Sequence, residues 1–166
     1  FVTDGRSAPW SGLWVTGQAE VAMGDRVRMQ GEVAETGEGE SHVTRTELAL
    51  EVLEVLEGGQ ALPAPVDISL AELAVYDVAE LYEGVVVSLA PAAVSGRTRE
   101  GVVVLDAVVA LGTKFVSIEP SWFESGAAFD VITGPLEFQG NFWSISPRSE
   151  VDMPRAAADF GACVPT

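Results

Sequence analysis

A chain of 166 residues suffices for one medium domain or two small ones and excludes most multidomain enzymes. Its 9 basic and 25 acidic side chains leave a formal net charge of −16, which repels a phosphate backbone over the molecule as a whole and argues against generic DNA coating. With 48% apolar and 20% charged residues it is neither a disordered nor a fibrous composition.

The chain opens on Phe1 with no charged-then-apolar leader, so any secretion signal is expected to have been removed or to lie outside these residues. Leu13 to Thr16 is the first strand signal. After the turn Met23-Gly24-Asp25, the apolar positions Val27, Met29 and Gly31 alternate with Arg26, Arg28 and Gln30, the period of a half-buried strand. His42 to Thr46 is a further candidate. Glu47 to Glu57 is ambiguous: helical spacing would stack Glu47, Glu51 and Glu54, whereas a strand needs a bulge near Leu53, and the strand is preferred. Ser69 followed by Glu72 is a capping box opening a short helix over Leu70, Leu73, Val78 and Leu81. Val85 to Leu89, Val102 to Leu105, Phe115 to Ile118, Phe129 to Gly134 and Phe142 to Ile145 complete the strands. The most apolar run, Val102 to Gly112, is interrupted by Asp106 and falls short of the roughly 18 residues of a membrane span, so no membrane insertion is expected.

Two units are expected because Gly12 to Leu50 can be laid on Thr113 to Met153. Leu13-Trp14-Val15 answers Phe115-Val116-Ser117, Gly24 to Gly31 answers Gly126 to Gly134, Val43 to Thr46 answers Trp143 to Ser146, and Phe1 to Asp4 answers Val103 to Asp106. The second copy starts with an additional strand, Val85 to Leu89, that the first lacks. The expected division is a first unit over 1–68 without its opening strand, a linker with a short helix over 69–82, a second unit over 83–153, and a tail over 154–166.

These landmarks, with Phe1-Val2-Thr3-Asp4-Gly5, Pro9 to Val15, Gly31-Glu32-Val33, Leu62 to Val66, Tyr82-Glu83-Gly84, Ile132-Thr133-Gly134 and Pro147-Arg148, resemble the tandem OB-fold-like domains that accompany the catalytic domain of bacterial extracellular nucleases. The resemblance spans about 150 residues. It implies an all-β fold of two OB-like β-barrel units, an extracellular or cell-surface setting, and a non-catalytic role beside a neighbouring enzyme. The acidic segment Glu35 to Glu40 departs from what a nucleic-acid groove would carry.

The residues point away from catalysis. His42 is the single histidine and has no accompanying hydrolase or zinc motif, and Cys163 lies in the tail with no nearby base. No cofactor is expected. The single cysteine cannot form an internal disulfide and is a candidate for an intermolecular one. Glu35, Glu38 and Glu40, beside Glu32, could offer oxygen ligands to calcium in an adhesion module, although their spacing fits no calcium motif and a solvated loop explains them as well. Arg26, Arg28 and Arg45 with Trp10 or Trp14 could form a single-stranded nucleic-acid platform; alternatively the tryptophans close the core and the arginines pair with Glu32, Glu47 or Asp25. In Trp122-Phe123 and Phe142-Trp143, alternation sends one ring of each pair inward.

A barrel lacking one strand exposes hydrogen-bonding edges. Three fillers are conceivable: upstream sequence, the tail Pro154 to Thr166, or a strand from another subunit. The expectation is therefore an interaction module that binds a protein partner or its own kind by strand addition. Single-stranded nucleic-acid binding and calcium-stabilised adhesion are the alternatives.

Overall fold

A computed structural model describes residues 1–36, 44–99, 101–117, 120–139 and 142–156. The chain is mostly β, in two sheets, with short helices inserted between consecutive strands of the larger one. Four strands, β1 (Val2–Thr3), β2 (Gly12–Thr16), β3 (Arg26–Thr36) and β4 (Arg45–Glu57), form one sheet in the order β1-β2-β4-β3. The other sheet has eight: β5 (Val66–Asp67), β6 (Val86–Leu89), β7 (Ala92–Arg97), β8 (Val103–Leu105), β9 (Val109–Leu111), β10 (Ala128–Phe129), β11 (Ile132–Gln139) and β12 (Phe142–Ile145). Their order is β10-β7-β8-β9-β12-β11-β6-β5. Among the described residues each hydrogen-bonded order has two free ends, so the expectation of two closed barrels is met only as a mostly-β chain with two sheets.

The β3–β4 ribbon forms because Val27, Met29 and their neighbours alternate against charged residues, and β4 supplies the pairing that its own sequence leaves ambiguous. Paired residues run from Arg26 opposite Glu57 to Thr36 opposite Arg45. Two register shifts skip Glu51 and Leu56, so the bulge expected near Leu53 is replaced by one on each side of it. Between β5 and β6, Ser69 Oγ accepts from the Glu72 amide at 3.2 Å and the Glu72 carboxylate accepts from the Ser69 amide at 2.8 Å, which starts α1 (Leu70–Leu73). α2 (Tyr76–Ala79) and a 3-10 turn over Glu80–Tyr82 follow, so the single short helix expected here is two short helices, interrupted at Ala74 and Val75, and a 3-10 turn.

Other elements differ from the sequence reading. Phe115 to Ser117 form no strand, and Ile118 lies outside the described residues. The Phe115 ring stacks instead on Trp14 at 6.5 Å and packs against Phe1 at 6.3 Å. The landmark equivalent to β2 is therefore β9, since both pair in parallel with a later strand: β2 with β4, and β9 with β12. Of the candidate His42 to Thr46 only Arg45 and Thr46 join β4, and His42 and Val43 lie outside the described residues.

The core belongs to the eight-stranded sheet. Among the described residues its buried cluster, including Val87, Leu105, Phe129, Ile132, Leu136 and Ile145, draws on residues between Ile68 and Met153. In the four-stranded sheet Trp14 and Leu48 are the buried apolar side chains, while Leu13, Val15, Val27, Met29, Leu50 and Leu53 remain half-buried. The two sheets touch closely at Gly12, where a Cβ would sit 2.1 Å from the Gly84 carbonyl oxygen, leaving room for no larger residue. Leu105→Ala should destabilise the chain by about 3 kcal/mol, and Val52→Ala, on the exposed side of β4, by less than about 0.5 kcal/mol. Urea unfolding of both variants checks the contrast, and equal effects would contradict this placement of the core.

Candidate interaction groove

The two sheets are joined by a cluster of charges around a buried carboxylate. Glu137 on β11 is 1% exposed. Its Oε2 accepts from Lys114 Nζ at 2.7 Å and from an Arg45 guanidinium nitrogen at 3.4 Å, and its Oε1 accepts from Ser146 Oγ at 3.2 Å. Arg45, at the start of β4, also donates to Glu47 at 2.8 Å. Both cations lie over the Trp14 ring, Lys114 Nζ at 4.5 Å and the Arg45 guanidinium at 5.6 Å. The Trp14 indole N–H donates to the Leu136 carbonyl at 3.3 Å, adding a direct bond from β2 to β11.

Beside this cluster the four-stranded sheet stays open. A groove of about 1250 Å³ runs along it, lined by Phe1 to Asp4 from β1 and its flanks, by Val27 and Met29 of β3, and by Leu50 and Leu53 of β4. Among the described residues, β1 and β3 are the end strands of that sheet, each paired on one side only. An apolar concave face and two unpaired strand edges therefore share one opening. That the end strands β1 and β3 would both line one groove needed the fold.

The residues singled out in the sequence are dispersed. Trp10 is 64% exposed, its backbone amide held by the Leu81 carbonyl at 2.7 Å. Trp14 is 5% exposed, because the two cations and Phe115 cover it, so it offers no stacking face to a base. Arg26 pairs with Glu57 at 3.2 Å and Arg28 with Glu54 at 3.0 Å, cross-strand partners in place of the expected Glu32 and Asp25, whereas Arg45 does pair with Glu47. Arg28 and Arg45 sit eight positions apart along the ribbon, about 26 Å, so the proposed platform of three arginines and two tryptophans is not assembled. Glu35 accepts from Thr44 and Thr46 hydroxyls at 2.7 and 2.6 Å, and these bonds hold its carboxyl below the ordinary range. Glu38, Glu40, His42 and Cys163 lie outside the described residues. Among the described residues no group of three or more His, Cys, Asp or Glu side chains is arranged for a metal ion. Also among them, no helix is long and apolar enough to cross a membrane. In the aromatic pairs Phe123 and Trp143 are buried while Trp122 and Phe142 are half-buried, one ring of each turned inward.

A second set of carboxylates lies where the helical segment meets β4. Glu83 accepts from the Thr46 amide at 3.2 Å, and burial, reinforced by the nearby Glu80 charge, outweighs that bond and pushes its carboxyl up to about 7. Below pH 4.5 Glu83 is protonated in both folded and unfolded chains. Between 4.5 and 7 only the unfolded chain releases the proton, so stability falls as pH rises through this window and levels off above it. Glu83→Gln should remove this slope and melt higher than the parent at pH 8. Melting temperatures across pH 4.5 to 8 check it, and parallel curves would contradict the assignment. No protein-family profile matches the chain, and neither curated proteins nor solved structures contain a match, so its function has to be argued from this geometry.

Proposed function

We propose that the chain is a non-catalytic interaction module that binds a protein partner, or its own kind, by adding a strand to the open four-stranded sheet. The observation that carries this reading is the groove in which an apolar face and the free edges of β1 and β3 converge. Strand addition suits such a site because main-chain bonds would pair the edges while alternate side chains fill the concavity.

The reading includes an OB-like architecture of two units. It is supported by a repeated pairing pattern: β1–β2 antiparallel, β2–β4 parallel and β4–β3 antiparallel match β8–β9, β9–β12 and β12–β11 in sense and order. The OB-fold is a five-stranded Greek-key barrel, and the β7–β8–β9 meander followed by the parallel β9–β12 pair is consistent with it, whereas the four-stranded sheet has no counterpart of β7 among the described residues. An extracellular or cell-surface setting, and service to a neighbouring activity, go with the family resemblance. Nucleic-acid binding is disfavoured, since Arg26, Arg28 and Arg45 each carry a carboxylate partner and Trp14 is covered.

The isolated chain should bind an apolar reporter dye such as anilinonaphthalene sulfonate in the groove, with rapid amide exchange along the outer edge of β3. Met29→Asp should cut dye binding at least tenfold while leaving the melting temperature within a few degrees. A single-stranded oligonucleotide should produce no binding signal at low salt. A dye-silent chain with a protected β3 edge, or tight salt-dependent oligonucleotide binding, would overturn the reading.

A further inference from the structure

The eight-stranded sheet contains its own solution to the problem that the four-stranded sheet leaves open. There, the counterparts of the two free edges are β8 and β11, and both are paired: β7 lies antiparallel on β8 and β6 antiparallel on β11. β6 and β7 are consecutive, separated only by Ala90 and Pro91. One bent, extended segment thus covers both edges, and its inward residues Val87, Leu89, Ala92 and Val94 are all buried.

A pair of glycines sets the register between the two sheets. A Cβ on Gly134 of β11 would lie 2.3 Å from the Ser146 carbonyl oxygen, and one on Gly31 of β3 would lie 2.1 Å from that of Ala49. Each glycine presses against the carbonyl of the strand beside it, and each precedes by two positions the residue opposite an equivalent of the parallel pair, Leu136 opposite Ile145 and Val33 opposite Leu48. Across β11, Val87 faces Gly134 and Leu89 faces Ile132. Transferred to β3, those partners fall opposite Gly31 and Met29.

We propose that the groove accepts, from a partner protein unlike this chain, a bent extended segment of β6–β7 chemistry. It lies antiparallel to β3 with a β-branched apolar residue opposite Gly31 and a leucine-sized one opposite Met29, then turns onto β1. This rests on the strand-adding function proposed above and specifies its partner. The charge distribution selects an unlike partner over a second copy. The whole chain carries −16, so two copies repel, whereas the ionisable residues lining the groove are Asp4, Asp25, Arg6, Arg26 and Arg148, a balance of +1. That lining suits a neutral or weakly charged segment. The tail is committed elsewhere at its start: the Asp130 amide donates to the Pro154 carbonyl at 3.0 Å and the Ala156 amide to the Ala128 carbonyl at 3.0 Å, pairing it with β10.

The probe is a labelled synthetic peptide with the sequence of residues 85–97, VVVSLAPAAVSGR, added in trans to the whole chain carrying Cys163→Ser. Saturable one-to-one binding by fluorescence anisotropy is expected, weakened at least tenfold by Met29→Asp in the protein or by an aspartate at the Val87 position of the peptide. Oxidative cross-linking should join Met29→Cys to a peptide with cysteine at the Leu89 position and leave one with cysteine at the Ser88 position unlinked. Cross-linking only at the Ser88 position overturns the register. No binding at about 1 mM peptide, to a monomeric chain that still binds the apolar dye, overturns the donor chemistry while the strand-adding function stands. A salt-resistant dimer with a protected β3 edge overturns the unlike partner and favours self-assembly. A monomer whose β3 edge is already protected overturns both this proposal and the function it rests on.

Discussion

The Glu137 carboxylate fixes how the two sheets meet, and the rest of the molecule is arranged around that choice. Burying an ionised carboxylate costs several kcal/mol, and its partners here come from three separate places: Lys114 after β9, Ser146 after β12, and Arg45 from the other sheet. Such a cluster contributes little net stability against an apolar replacement, but losing one member strands the others, at a cost of about 3 to 5 kcal/mol. Its physical role is orientation. With Arg45 held at Glu137 and Trp14 bonded to Leu136, β2 and β4 have one placement against β11, and Gly12 and Gly84 are small enough to permit it.

That placement separates two environments along the same ribbon. At the Arg45 end, Glu47 and Leu48 are buried by the neighbouring sheet. Toward the other end, Val27, Met29, Leu50 and Leu53 are half-buried and line the groove. Unpaired edges invite indiscriminate pairing, and β3 and β4 carry two safeguards: ion pairs Arg26–Glu57 and Arg28–Glu54 on the solvent side, and bulges at Glu51 and Leu56 that increase the local twist. On the strand-adding reading, a partner would have to match the apolar side, since the other face is charged at alternate positions.

The strands that alternate on a half-exposed surface were legible from the residues, as β3 is, because period-two patterning is a direct imprint of one wet and one dry face. The helix start was equally legible, since Ser69 and Glu72 satisfy each other locally. β9 was not: Val109, Ala110 and Leu111 are all buried, so no alternation marks them, and Phe115 beyond them imitated a strand while serving as a lid on Trp14. The sequence asymmetry between the two expected repeats, the extra strand Val85 to Leu89, corresponds in the structure to β6, which pairs within the eight-stranded sheet. The charge cluster was invisible, because Glu137 reads as one more outward residue between Leu136 and Phe138. The chain's lone lysine, Lys114, was the available hint.

Strong acidity and an open apolar groove look contradictory in one small protein, since a sticky face is usually a solubility hazard. Each limits the other. Repulsion among copies carrying −16 acts over about a Debye length and keeps like molecules apart before their grooves can meet. The groove itself is nearly neutral, because Arg6 and Arg26 are balanced by Asp4 and Glu57, and Arg148 is held by Asp152 at 2.9 Å. A neutral strand can thus enter without crossing a strong local field, while another copy meets the field of the whole surface. On the proposed reading, selectivity against self would require no dedicated contact: it would follow from where the few cations of an acidic chain have been placed.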